Sequence, residues 1–281
     1  MYKIEIINCQ RILKERFGRP IVYLDHWALN DLSLNAGYKK RFVNVMNEQG
    51  GTLRLSSCNI EELINQGDTR QIDAIFEMIE SIDCGFIDIN FKEVIERENY
   101  LIKNPSVIEN PSINLGLIHD YLMSKNWPLE WRLVDMISTV VKETSIQKQR
   151  TRGSAFADKM NWLIDFARNN HDCLKKVSKR VHQTKSEGQR YSAATRELVL
   201  MMYDLIIKNK KMKMPDTEWI DLFHLIVPVA YCDIVLIDKR WKTFVAQTGL
   251  KYPQIAKVFD CKSIDNFFNE LDGDYDKNSI E

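Results

Sequence analysis

The chain lacks the short motifs that announce the commoner enzyme classes. Its five histidines, His26, His119, His171, His182 and His224, fall in no HExxH or HxxxH spacing, which argues against a zinc hydrolase. Neither a GxxxxGK[ST] nor a GxGxxG run occurs, so a P-loop nucleotidase and a dinucleotide enzyme also lose support. Close cysteine pairs are missing too: Cys9, Cys58, Cys84, Cys173, Cys232 and Cys261 are scattered, which indicates neither a disulfide framework nor a zinc knuckle. A reduced, cytoplasmic setting is the expectation. The opening MYKIEIINCQ does not have the basic-then-apolar layout of a secretory signal. The longest apolar stretch, 222–237, is interrupted by His224, Pro228 and Asp233, so no membrane span is expected.

What is present is a chain of 281 residues, 44% hydrophobic, enough for one large domain or for a core carrying a sizeable insertion. Net charge is zero, yet residues 142–213 hold 17 Lys/Arg against 7 Asp/Glu. The remainder is correspondingly acidic. Such segregation fits a basic surface for a polyanion, with a solvated helix face as the plainer explanation. Arg150, Arg152, Lys176 and Arg180, with Trp162 and Tyr191 nearby, are the candidates for tracking phosphates and stacking bases.

Periodicity divides the chain. PIVYLD at 20–25 is a short β-branched and aromatic run that predicts a buried strand, and a helical stretch follows over 27–47. After Gly50-Gly51 the run TLRLSS predicts a second strand, with Asn59 as cap of a helix carrying Glu61 and Glu62. Ile72, Ile75, Phe76, Ile79 and Ile82 recur at helical spacing before CGFIDIN, a third strand. This alternation predicts an α/β fold with a central parallel sheet flanked by helices. Residues 96–214 are helical in pattern and read as an inserted subdomain. The sheet pattern resumes after Pro215, with Thr217 as a candidate cap for EWIDLFHLIVPVAYC, then DIVLID, KVFDC and the helical SIDNFFNEL. The core is therefore expected at 20–95 and 215–271, followed by an acidic tail at 272–281.

In an open parallel sheet, functional groups collect where the carboxyl ends of the strands meet the following loops. Asp25 and Asp238 each close a strand, Glu62 lies in the first turns after another, and Asp221 sits on a helix leading back to the sheet. Asp221 is flanked by Ile220, Leu222, Phe223, Leu225 and Ile226, surroundings in which a carboxylate is costly unless paired. Clustered carboxylates repel one another and call for a shared cation. Oxygen ligands without Cys or His partners favour Mg²⁺ or Mn²⁺, the ions of phosphodiester hydrolysis. Lys239 and Arg240, directly after Asp238, are expected to touch the scissile strand, with His224 as a further contact. The plainer readings are helix capping for Asp25 and Asp238, a salt bridge for Asp221, and a satisfied core imidazole for His224. Asp233, at the other end of its strand from Asp238, is expected to be structural.

Four segments, IVYLDHWALNDLS, LRLSSCNIEELINQG, EWIDLFHLIVPVAYCDIVLIDKRW and VFDCKSIDNFF, together resemble the PIN domain, a family of metal-dependent ribonucleases with a central parallel sheet. The likeness covers roughly 20–95 and 215–270 and rests on the joint order of the segments. It implies that Asp25, Glu62, Asp221 and Asp238 hold Mg²⁺ or Mn²⁺ and cleave single-stranded or structured RNA, in many members as a toxin or defence function. Members commonly carry a small polar residue after the first aspartate and Ser or Thr before the last, where this chain has His26-Trp27 and Leu236-Ile237. The missing hydroxyl keeps open a catalytically inactive scaffold that binds RNA or a partner. A nuclease acting on DNA is also open, as is a phosphatase with Asp25 as nucleophile. A second copy of the chain or a regulatory protein stays open as a partner, and no membrane partner is expected.

Overall fold

Two wholly buried runs, IVYL at 21–24 and IVL at 234–236, mark the centre of the molecule. A strand hidden on both faces belongs in the middle of a parallel sheet covered by helices. That arrangement is present in the computed structural model, which describes residues 2–7, 10–15, 17–66, 68–107, 110–113, 135, 137–138, 155–170, 193–212 and 214–273. The strands are β1 (Tyr2–Ile7), β2 (Gln10–Glu15), β3 (Ile21–Leu24), β4 (Thr52–Leu55), β5 (Asp83–Phe86), β6 (Ile234–Leu236) and β7 (Lys257–Phe259). β1 and β2 form an antiparallel hairpin, with Tyr2 opposite Glu15. The other five make one all-parallel sheet in the order β5-β4-β3-β6-β7.

Alternate residues of the central strands serve opposite faces. Val22, Leu24, Leu53, Leu55, Ile234 and Leu236 enter one core with α1 (His26–Leu34), α2 (Ala36–Gln49), α4 (Thr69–Glu80) and the closing helix, Ile264–Leu271. Ile21, Tyr23, Val235 and Ile237 enter the other. There they meet α7 (Ala194–Lys208), α8 (Asp216–Tyr231) and α9 (Lys239–Gln247). The remaining helices are α3 (Ser57–Asn65), α5 (Phe91–Lys103) and α6 (Ala155–Asn169). None of the described helices is long and apolar enough to cross a membrane.

The single helical stretch expected over 27–47 is two helices. Asn35 separates them because its side chain accepts from the backbone of Gly37 and Tyr38, capping α2 and offering the chain an alternative to helix continuation. α2 then stops at Gly50, whose φ of 69° is the left-handed conformation favoured for glycine.

α7, within the stretch read as an insertion, is fastened at both ends by side chains from its neighbours. Glu98 of α5 accepts from the backbone of Thr195 at 2.7 Å and of Arg196 at 3.2 Å, and from the Tyr231 hydroxyl at 2.6 Å. At the other end the Arg168 guanidinium of α6 donates to the carbonyls of Ile206, Ile207, Asn209 and Met212. An anion at the amino end and a cation at the carboxyl end both complement the helix dipole.

Strand order sets where a site can form. From β3 the chain steps outward through β4 to β5, and when it returns it adds β6 and β7 on the other side of β3. The order reverses between β3 and β6, and it is at such a switch point, outside the carboxyl ends of the strands, that open parallel sheets form their binding crevice.

Candidate functional site

Asp25 and Asp238 flank that switch point. The Asp25 backbone donates to the Leu236 carbonyl at 3.0 Å, which ties the end of β3 to the end of β6. Its carboxylate caps α1 by accepting from His26 N at 2.8 Å. Asp238 caps α9 in the same way, through Arg240 N at 2.7 Å. Capping thus describes what one oxygen of each group does, and it fixes the two carboxylates near enough for Asp238 to act on Asp25.

Glu62 is positioned by the start of α3. Ser56, not Asn59, is the N-cap: Asn59 is the third helical residue and completes a capping box with it. The correction has a simple cause, because the box needs a hydroxyl at the cap and an amide three residues on, and both are present. Asn59 Nδ2 then reaches the Leu24 carbonyl at 3.2 Å and fastens α3 to the end of β3. Glu62 follows one turn later, its Oε2 3.4 Å from His26 Nδ1.

Asp221 lies on α8, which begins at Asp216 after Pro215 and is not capped by Thr217. Although its sequence neighbours are apolar, Asp221 itself is exposed, on the strip of α8 that faces neither core. Adjacent residues on a helix point some 100° apart, so Leu222, Leu225 and Ile226 face the core while Asp221 reaches solvent at its rim and its carboxyl stays partly shielded. Trp241 on α9 acts on the Asp221 carboxyl against the effect of burial, favouring its ionised form.

These groups repel one another. Burial and then the charges of Asp25, Asp221 and Glu61 push the Glu62 carboxyl up to about 8. Asp221 is raised to about 6 by burial, then by Asp25, Asp238 and Glu218. Burial followed by Asp238 raises Asp25, with the backbone amides of His26 and Asp238 acting against the shift. His26 is held below its ordinary value by burial, which favours the neutral ring and leaves little positive charge to offset Glu62. Beneath them the Tyr23 phenol is raised by burial and by Asp25, Cys58 and Glu62, and its oxygen lies 3.3 Å from Ser56 Oγ.

Carboxylates elsewhere along the same sheet edge are neutralised by cations. Asp88, after β5, pairs with Arg97 at 2.5 Å. Asp260, after β7, is drawn upward by burial, but Ser263 and Lys242 outweigh this and leave it below its usual range. At the switch point between them, mutual repulsion prevails.

Among the described residues, no three His, Cys, Asp or Glu side chains come together closely enough to hold a metal ion. Of the basic contacts expected here, Lys239 is exposed on the first turn of α9. Arg240 is engaged by Glu218 through both terminal nitrogens. His224 Nε2 faces Cys58 Sγ, linking α8 to α3 rather than opening to solvent. Arg150, Arg152, Lys176 and Arg180 lie outside the described residues. Trp162 is 63% exposed and stacks on Phe166.

Sequence reasoning missed Glu218, Trp241, Cys58 and Tyr23. Only Glu218 had a local signal, a carboxylate three residues before Asp221 on one helix face; the others meet the site through tertiary packing. Set against protein-family models, curated proteins and solved structures, the chain matches none of them.

Proposed function

We propose that the chain is a metal-dependent endoribonuclease, with Asp25, Glu62, Asp221 and Asp238 disposed around a Mg²⁺ or Mn²⁺ ion. The observation that supports it is the contrast along one sheet edge. Asp88 and Asp260 have their own cations, whereas Asp25, Glu62 and Asp221 are raised by burial and then by neighbouring carboxylates. The donor set is all oxygen, which suits these ions. Mg²⁺ keeps several waters and takes only one or two carboxylates together with phosphate oxygens, so it does not require three ligands packed together beforehand. Once bound, such an ion supplies an activated water and stabilises charge on the phosphoryl group.

The protein's own groups then have separate tasks. Asp25 and Asp238 are held by their caps at fixed positions on adjacent strands, which aims them before any ligand arrives. Glu62 and Asp221 approach from helices on either side. Lys239 offers an exposed ammonium beside Asp238 for the phosphate backbone. The basic bias of 142–213 suits a nucleic acid, and the likeness to PIN ribonucleases alone favours RNA over DNA and motivates a toxin or defence setting.

Incubating total RNA and single-stranded DNA with the wild type and Asp221→Asn, with and without Mn²⁺, tests this reading. Cleavage of RNA by the wild type only, and only with Mn²⁺, is the expected result. Equal cutting by both proteins removes Asp221 from the mechanism. The absence of a close metal-holding group among the described residues favours a second reading, a scaffold that binds RNA without turnover. That scaffold retains RNA and cuts nothing at any Mn²⁺ concentration.

A further inference from the structure

Arg240 stands on the first turn of α9 and Glu218 on the first turn of α8, and the two meet fork to fork. Nη2 lies 2.6 Å from Oε2, and Nη1 contacts Oε1. The guanidinium also lies over the Trp241 ring, 5.3 Å from its centroid. Asp221 lies one turn after Glu218 on α8, and Asp238 caps α9 through Arg240 N, so the fork stands beside the acidic cluster. Both partners reach solvent, with the Arg240 side chain 46% exposed and that of Glu218 21%.

A guanidinium fork binds carboxylate and phosphate through the same pair of parallel N–H···O bonds. Glu218 therefore presents to Arg240 the two-oxygen edge that a phosphodiester would present. A pair this exposed stabilises weakly, because water screens it. A nucleic acid strand carries an additional driving force, the release of its condensed counterions. Moving the fork from Glu218 to a phosphate would place that phosphate beside Asp221 and Asp238.

We infer that Glu218 is a built-in stand-in for a substrate phosphate. It occupies Arg240 until a phosphodiester backbone displaces it, and so sets how strongly the site takes up single-stranded nucleic acid. This rests on the proposed nuclease function and adds to it a phosphate subsite with an internal competitor.

The test is binding of a short fluorescent oligouridine, in EDTA so that nothing is cut, across a salt series. Four full-length proteins are compared: wild type, Glu218→Gln, Arg240→Gln and the double variant. Freeing the fork adds one phosphate contact. Glu218→Gln should then bind about fivefold tighter at low salt, and its log K against log salt should steepen by about 0.7. The same change made in the Arg240→Gln background should alter neither. An equal gain in both backgrounds overturns the inference, since it reports only the loss of one negative charge. No gain in either background overturns it as well. If no protein binds, wild type included, the inference falls together with the nuclease function it rests on. Glu218→Asp keeps the charge and shortens the reach; it should also tighten binding, and it carries the comparison if Glu218→Gln fails to fold.

Discussion

Glu62 and Asp221 are the residues at which the site can be titrated. Both have folded-state pKa values above their ordinary ones, at about 8 and about 6. A raised carboxyl favours the folded protein in its neutral form. That contribution is complete below the ordinary carboxyl range and is lost as pH rises through the folded value. Metal-free protein should accordingly lose thermal stability as pH rises above the ordinary carboxyl range in two overlapping stages, the Asp221 stage ending near pH 6 and the Glu62 stage near pH 8, and level off above that. Melting curves from pH 5 to 9 in EDTA check this, and Asp221→Asn and Glu62→Gln should each remove one stage. Mn²⁺ affinity should run the other way and strengthen with pH, because the ion binds the ionised carboxylates. Calorimetric titration of Mn²⁺ against Asp221→Asn or Glu62→Gln should show at least about a hundredfold weaker binding, beyond the usual effect of groups that merely support a ligand. The placement of Asp25 and Asp238 after strands, and of Glu62 and Asp221 on helices, was legible in sequence because these are local features. Whether each stood against a cation was not legible. Lys242 and Arg97 reach Asp260 and Asp88 from other elements, and only the fold shows those pairs.

At the scale of elements, α7 depends on charges that belong to other helices. Glu98 is fully buried and accepts three hydrogen bonds, two of them from the first turn of α7. Glu98→Gln should lower stability by about 2–3 kcal/mol, in the range for buried hydrogen bonds to charged groups. Arg168→Met, which leaves the last carbonyls of α7 without their donor, should lower it by about 1–2 kcal/mol. Urea unfolding followed by far-ultraviolet circular dichroism measures both. Helical spacing made α4 and α8 readable in advance. Their starts were less so, because Asn, Ser, Thr and Asp are all plausible caps and, at α3, Ser56 prevailed over Asn59 through a two-way box. The hairpin of β1 and β2 went unread, since its strands lie outside the alternation that marks the core.

Across the whole molecule, the two ends of the sheet carry different duties. At the amino ends of β3 and β6, the buried Asp233 accepts from Ile21 N at 2.9 Å and donates its own N–H to the Ile21 carbonyl at 2.8 Å. Arg19 lies 3.8 Å away. Asp233→Asn should lower unfolding free energy by about 1–3 kcal/mol, yet leave Mn²⁺ binding at the opposite edge within twofold of wild type by the same calorimetry. A parallel sheet was readable from alternating strand and helix patterns, but the order of its strands was not. Placing β6 beside β3 depends on a pairing between positions more than two hundred residues apart.

That pairing also governs when the acidic edge exists. Asp25 and Glu62 emerge early in synthesis, and Asp221 and Asp238 emerge late. Until β6 docks beside β3, a growing chain displays two isolated carboxylates and no switch point beside them. The acidic edge is therefore complete only once the chain has been made past Asp238 and β6 has paired with β3.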